Sequence, residues 1–307
     1  MKKLKIIFFF SCFLGLSVPF SHGQTETGAI RKHQFSLRVD NDALAFSHFD
    51  RYYTNGMFFS YRHYLSERGR LKATVSQQIY TPERYTSDDV NIYDRPYAGV
   101  LYGEVGYQHF IKKGWLSGDF LLGKIGPGSK AEDVQVWYHT LFGFPQPKGW
   151  QYQIQDGALV NLRLEGAVNV FREGKVDFWL QPRVALGNYD RSLGITPSFR
   201  IGRFNHRPSE SFISGSRVGM PSKRELYFQG GVRLKRVYWN ATLQGTKQSY
   251  DVDLATMEPV KNVNEFFAQL VLAYPKVGFA YRFYYRTQET RLAEGQFLGS
   301  LYFYYTF

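Results

Sequence analysis

The chain has 307 residues, 38 Lys and Arg against 26 Asp and Glu for a net charge of +12, one cysteine, and 18% aromatics, including 23 Tyr and 27 Phe. A single cysteine excludes an internal disulfide framework, and for an exported basic chain phosphorylated lipid is a better partner than nucleic acid, although a solvated surface explains the same excess equally well. No segment beyond the N-terminus is long and apolar enough to be a membrane helix, whereas strands that alternate lipid-facing and lumen-facing residues average to this mild hydropathy.

Met1-Lys2-Lys3-Leu4-Lys5, the apolar run Ile6 to Phe20, and Ser21-His22-Gly23 form a secretory signal pattern with cleavage near Gly23. The run is shorter than the roughly 18 to 20 residues a spanning helix requires. Cys12 lies inside it and not at a small-residue cleavage site, which argues against a lipid anchor. The expected organisation is a signal peptide over 1–23 and one outer-membrane barrel domain over 24–307.

Period-two alternation then recurs to the end of the chain. Val160, Leu162, Leu164, Val168 and Val170 share one face, and Asn161, Arg163, Glu165 and Asn169 the other; Phe279, Tyr281, Phe283 and Tyr285 likewise oppose Arg282, Arg286 and Gln288. Twelve strands are expected, near 33–41, 55–65, 70–81, 97–110, 114–126, 156–171, 175–188, 192–203, 225–245, 262–274, 277–288 and 297–307. The fold class is therefore an all-β, antiparallel transmembrane barrel with an even strand number. Short connections alternate with long ones at 42–54, 82–96, 127–155 and 246–261, which assigns the long loops to the cell exterior. The stretch 204–224 is long on the side where turns should be short, and the sequence offers no account of it. Leu301, Phe303, Tyr305 and Phe307 on one face resemble the terminal-strand signal read by the outer-membrane assembly machinery, an expected partner.

With about twelve strands, inward side chains leave little room for a wide pore. Chemistry is then expected in the loops. The third long loop carries the one clear helix, from about Ala131 to Phe142 with Gly143 as its stop. Helical spacing aligns Glu132, Gln135 and His139, while Val134, Trp137, Tyr138 and Leu141 are available to cover apolar surface. A lone histidine is usually structural; His139 is set apart by its polar company. There is no G-x-S-x-G elbow, H-E-x-x-H or P-loop. Taken by themselves, Asn41-Asp42 and Thr54-Asn55-Gly56 fit ordinary turn chemistry.

Val39-Asp40-Asn41-Asp42, Asp50 to Gly56, Asp94 to Gly99, Ile125 to His139 and Gly149-Trp150-Gln151-Tyr152-Gln153 together resemble the outer-membrane lipid A 3'-O-deacylases. The resemblance spans nearly the whole mature chain. It implies a twelve-stranded barrel among outer-membrane lipids that hydrolyses the 3'-linked acyloxyacyl ester of lipid A in lipopolysaccharide, with Ca²⁺ dependence. It also carries functional roles onto Asn41, Asp42, Thr54, Gln135 and His139. The chemistry is coherent: an imidazole supplies a base near neutral pH, and Asp42 with Asn41 offers oxygens suited to Ca²⁺. Thr54 and Gln135 would orient the ester, with a Thr54 nucleophile as the alternative. Some members carry an acid about six residues after the histidine; here that position is Pro145, which leaves the partner of His139 open between Glu132 and Asp42. Arg51, Arg84 and Arg95 are candidates for lipid phosphates or for plain surface solvation. A narrow channel or structural barrel, and a phospholipase of the same compartment, stand as alternatives.

Overall fold

The computed structural model describes residues 30–45, 51–219, 223–246 and 256–307. The expected signal peptide, residues 24–29 and parts of three long connections, Asp50 among them, lie outside them. Twelve strands form a closed antiparallel barrel: β1 (His33–Asn41), β2 (Tyr52–Tyr64), β3 (Gly69–Thr81), β4 (Ala98–Ile111), β5 (Gly114–Ile125), β6 (Gly157–Glu173), β7 (Val176–Gly187), β8 (Asp190–Arg203), β9 (Glu225–Asn240), β10 (Asn262–Ala273), β11 (Val277–Arg286) and β12 (Gln296–Thr306). Each strand pairs with its sequence neighbours, and β1 closes against β12 from Gln34↔Thr306 to Asn41↔Gly299. Closure leaves no exposed edge, which a bilayer requires because it offers no water to unpaired amides.

The alternation decides which face meets lipid. Phe35, Phe59, Val75, Val105, Leu164, Leu270 and Phe279 point outward and are exposed on the protein itself, as a hydrocarbon environment demands. Many inward positions carry charged groups that pair with one another. Lys72 reaches Glu104 at 2.8 Å and Asp119 at 2.7 Å, Arg163 bonds both acids, and Glu265 sits between Arg233 and Arg286 at 3.1 Å each. Such groups are tolerated in a lumen only when paired.

Two boundaries differ from expectation. β2 begins at Tyr52, so Thr54 lies within a strand and not a turn, at a bulge where the register shifts between Tyr53 and Asn55. β9 ends at Asn240, whose side chain accepts from the Thr242 amide and caps the short helical turn Ala241–Gln244.

The long connection after β8 explains itself once folded: it turns back into the barrel mouth. Ile213 packs against Phe110, Trp115, Ala167 and Trp179, and Phe212 stacks on Tyr304 at 5.5 Å. The Gln34 amide donates to the Gly215 carbonyl at 3.1 Å and its oxygen accepts from the Arg217 amide at 2.8 Å. Arg217 pairs with Glu225 at 3.3 Å, both side chains fully buried. This segment folds against inward-facing residues of β1, β4 to β7 and β12 at the turn end of the barrel.

Candidate active site

At the loop end, Asn41 and Asp42 terminate β1. Asn41 Oδ1 and Asp42 Oδ1 both accept from the Ala43 amide, at 2.8 and 2.7 Å, while Asp42 Oδ2 accepts from the Arg51 amide at 3.0 Å. Asp42 thereby ties together the two ends of the first long loop. Thr54, the extra residue of the β2 bulge, exchanges a 2.7 Å hydroxyl hydrogen bond with Thr81, the fully buried last residue of β3. A bulge re-aims a side chain out of the ladder, which is how a strand residue joins a site at the rim.

The helix α1 runs Ala131–Phe142 and stops at Gly143, whose φ of +68° suits glycine and whose amide donates to the His139 and Thr140 carbonyls. Its start lies directly on β4: a Cβ on Gly99 would sit 2.3 Å from that of Ala131. Ala131 packs with Ile79, Tyr93, Tyr97 and Trp150. The buried face is Ala131, Gln135 and His139, whereas Glu132 is exposed. Val134 packs as expected, but Trp137 and Leu141 are 63% and 58% exposed. The amphipathicity is inverted, with polar groups turned toward the barrel and aromatic and aliphatic groups turned away from it.

His139 is 3% exposed, and its Nδ1 lies 2.6 Å from the Pro145 carbonyl oxygen. A carbonyl only accepts, so Nδ1 carries the proton and Nε2 is the basic nitrogen of the neutral ring. The position six residues on thus supplies the orienting acceptor after all, from its backbone and not from a side-chain acid. The Tyr85 and Phe144 rings each stand edge-on to the imidazole at 5.7 Å. One turn earlier, Gln135 Oε1 accepts from the Trp150 indole at 2.9 Å. Because an indole only donates, the amide is fixed with its oxygen toward Trp150; Gln135 Nε2 is then left buried with no hydrogen-bond partner. A buried orphan donor is costly, and this one sits one helical turn from His139.

The loop after β3 links the two groups of residues along the chain. Thr81 holds Thr54, and four positions further Tyr85 faces His139. Tyr85 also accepts through its carbonyl from the Tyr97 hydroxyl at 2.6 Å, and Tyr97 packs on Trp150 at 4.9 Å between ring centres. Trp150, Tyr85, Thr81 and the Pro145 carbonyl are parts of the site to which the sequence assigned no role.

Arg95 is neither a surface cation nor a phosphate ligand. It is 1% exposed, bonds Glu289 at 3.2 Å and Thr242 Oγ1 at 3.2 Å, and lies over the Tyr80 ring at 4.5 Å, which clamps three loops together. Arg51 pairs with Glu83 at 2.6 Å and Glu294 at 2.9 Å; Arg84 is exposed. Burial also raises the Asp94 carboxyl above its ordinary pKa, opposed by the Glu83 amide that donates to it at 3.1 Å. Among the described residues no three His, Cys, Asp or Glu side chains gather as a metal cage. Asn41 Oδ1 and the Asp42 oxygens are nevertheless hard donors, a set compatible with Ca²⁺ if water or substrate oxygens complete it.

The family model described as outer membrane protein LpxR matches residues 8–307. The chain belongs to the LpxR family. The solved structure of LpxR from Salmonella typhimurium superposes on this LpxR-family barrel with a TM-score of 0.78 at 20% identity, covering 89% of this chain and all of that one. At that identity the likeness establishes the shared twelve-stranded fold. The KdgM porin matches at TM-score 0.43 and 9% identity, covering 89% of this chain and 99% of that one. The COG4313 outer membrane channel from Pseudomonas putida F1 reaches 0.47 at 10%, covering 93% and 99%. None of the curated proteins matches this sequence. Family and architecture together make this LpxR-family chain an outer-membrane protein.

Proposed function

We propose that this protein is a lipid A 3'-O-deacylase, hydrolysing the 3'-linked acyloxyacyl ester of lipopolysaccharide in the outer leaflet. The single observation that carries the reading is α1 itself. Its inner face holds an imidazole with a fixed tautomer one turn from an orphaned amide donor, and its outer face exposes Trp137 and Leu141. A site with water-activating chemistry on one side and an apolar surface on the other suits an ester embedded in lipid.

In this mechanism His139 Nε2 takes a proton from water as the water attacks the ester carbonyl. The Pro145 carbonyl holds Nδ1–H and stabilises the imidazolium, and Gln135 Nε2 donates to the developing oxyanion. The ring then returns its proton to the leaving alkoxide, which leaves the carboxylic acid and the deacylated sugar hydroxyl. Thr54, held by Thr81, orients the ester. Asn41 and Asp42 would hold a calcium ion, which when bound polarises the carbonyl.

The test is mass spectrometry of lipid A from a Gram-negative host expressing the wild type or His139→Ala, with both confirmed as folded in the outer membrane. Loss of the 3' acyl mass with the wild type alone supports the reading. Unchanged lipid A with calcium present refutes it, and release of fatty acid from glycerophospholipid in the same membranes would substitute the phospholipase.

A further inference from the structure

At the opposite rim from the active site, His33 on β1 and His63 on β2 stand directly across from each other. His33 exchanges both backbone hydrogen bonds with Phe307, at 3.0 Å each, so toward β2 it forms a non-hydrogen-bonded pair. That pairing brings cross-strand side chains closest. The two rings are 5.0 Å apart between centres and their Nδ1 atoms 3.4 Å apart; the Tyr61 hydroxyl is 2.6 Å from His33 Nδ1. Odd positions here share the outward face of Phe35 and Phe59, so the pair belongs to the lipid-facing belt at the turn end, flanked by the rings of Tyr61 and Phe307 at 5.9 and 5.1 Å from His33.

The spacing, that of a hydrogen bond between the rings, also suits a shared metal ion. Two imidazole nitrogens bound to one tetrahedral ion at about 2.0–2.1 Å are separated by about 3.3 Å. Both strands are fixed in a closed barrel, so the ligands are pre-organised and little ordering entropy is lost when they close on an ion. Imidazole selects zinc, nickel or copper over calcium and magnesium. We propose that His33 and His63 form a binding site for a borderline divalent transition-metal ion, with water and the Tyr61 hydroxyl in the remaining positions. The ion clips β1 to β2 beside the β1–β12 seam that closes the barrel. Since it binds only the folded register, it stabilises the barrel by mass action.

The experiment uses the full mature barrel refolded in detergent micelles, stripped of metal, and unfolded by urea with and without micromolar zinc chloride. Zinc is expected to raise the unfolding midpoint of the wild type, with equimolar calcium chloride giving no shift. His33→Gln and His63→Gln are expected to unfold at the metal-free wild-type midpoint and to lose the zinc shift, while lipid A deacylation is unaffected. Copper(II) on the wild type provides a readout independent of refolding the variants: two equivalent nitrogen couplings in its paramagnetic resonance spectrum support the site. Absence of that nitrogen pair, or a zinc shift equal in wild type and both variants, overturns the proposal.

Discussion

Trp150→Phe removes the indole N–H donor, together with part of the ring, from a wall in which Trp150 is 2% exposed. The indole at 2.9 Å is what sets the Gln135 amide with its nitrogen turned away from Trp150. A buried neutral hydrogen bond contributes about 0.5–1.5 kcal/mol net, and this is the energy that separates the productive amide orientation from the flipped one. Losing it makes the two comparable, so the productive fraction drops to about one half and kcat is expected to fall by up to about 2-fold with KM little changed. Gln135→Glu keeps an acceptor for the indole but has no N–H to offer when ionised; deletion of an oxyanion donor costs about 10²–10³ in kcat. The double variant should then be no slower than Gln135→Glu alone, because the indole acts only through the amide. Initial rates of fatty-acid release from purified lipid A in mixed micelles, with barrel folding checked by heat-dependent gel mobility, measure all three. A fully active Trp150→Phe, or losses that multiply in the double variant, would refute the orienting role.

Other expectations follow from the same geometry. Thr54→Val should abolish most deacylation while Thr54→Ser retains it, since only the hydroxyl shared with Thr81 is removed; mass spectrometry of lipid A reports both. Asp42→Asn should weaken calcium activation, read as a rightward shift of the activity curve against calcium concentration. Glu225→Gln leaves Arg217 buried beside a neutral amide and should cost about 3–5 kcal/mol, visible as a lower urea midpoint. If the segment after β8 seals the turn end of the lumen, the wild type should conduct no ions in planar bilayers, and discrete conductance steps would contradict that seal.

Much of this architecture is legible in the sequence because a lipid-exposed strand has no alternative to strict alternation. Val160 to Val170 against Asn161 to Asn169 is enough to assign β6, and Gly143 ends α1 where its backbone freedom is required. Gln135 and His139 are found together because i and i+4 share a helix face. The missing parts are those whose chemistry is carried by the backbone or by distant partners. The Pro145 carbonyl has no side-chain signature, and the rim position of Thr54 depends on a bulge that Thr54-Asn55-Gly56 disguises as a turn. Arg95 looks like any loop cation until Glu289 and Thr242 arrive from the far end of the chain. The exposed Trp137 and Leu141 also reverse the usual expectation, because apolar residues on a loop helix seek the core only when the surroundings are water.

The segment after β8 has a consequence for the order of assembly. It comes from the middle of the chain, yet Gln34 of the first strand and Tyr302 and Tyr304 of the last are among its contacts. The first and last strands are also the pair whose meeting closes the largest loop and so carries the greatest entropic cost. Docking rewards only a ring in which both ends are already in register, since an open or slipped sheet cannot present these residues to the segment together. Its docking therefore favours a barrel whose ends have joined in register, because the Gln34 hydrogen bonds and the stacking of Phe212 on Tyr304 need both ends in place, whereas Arg217 and Glu225 pair between the segment and the strand it leads into.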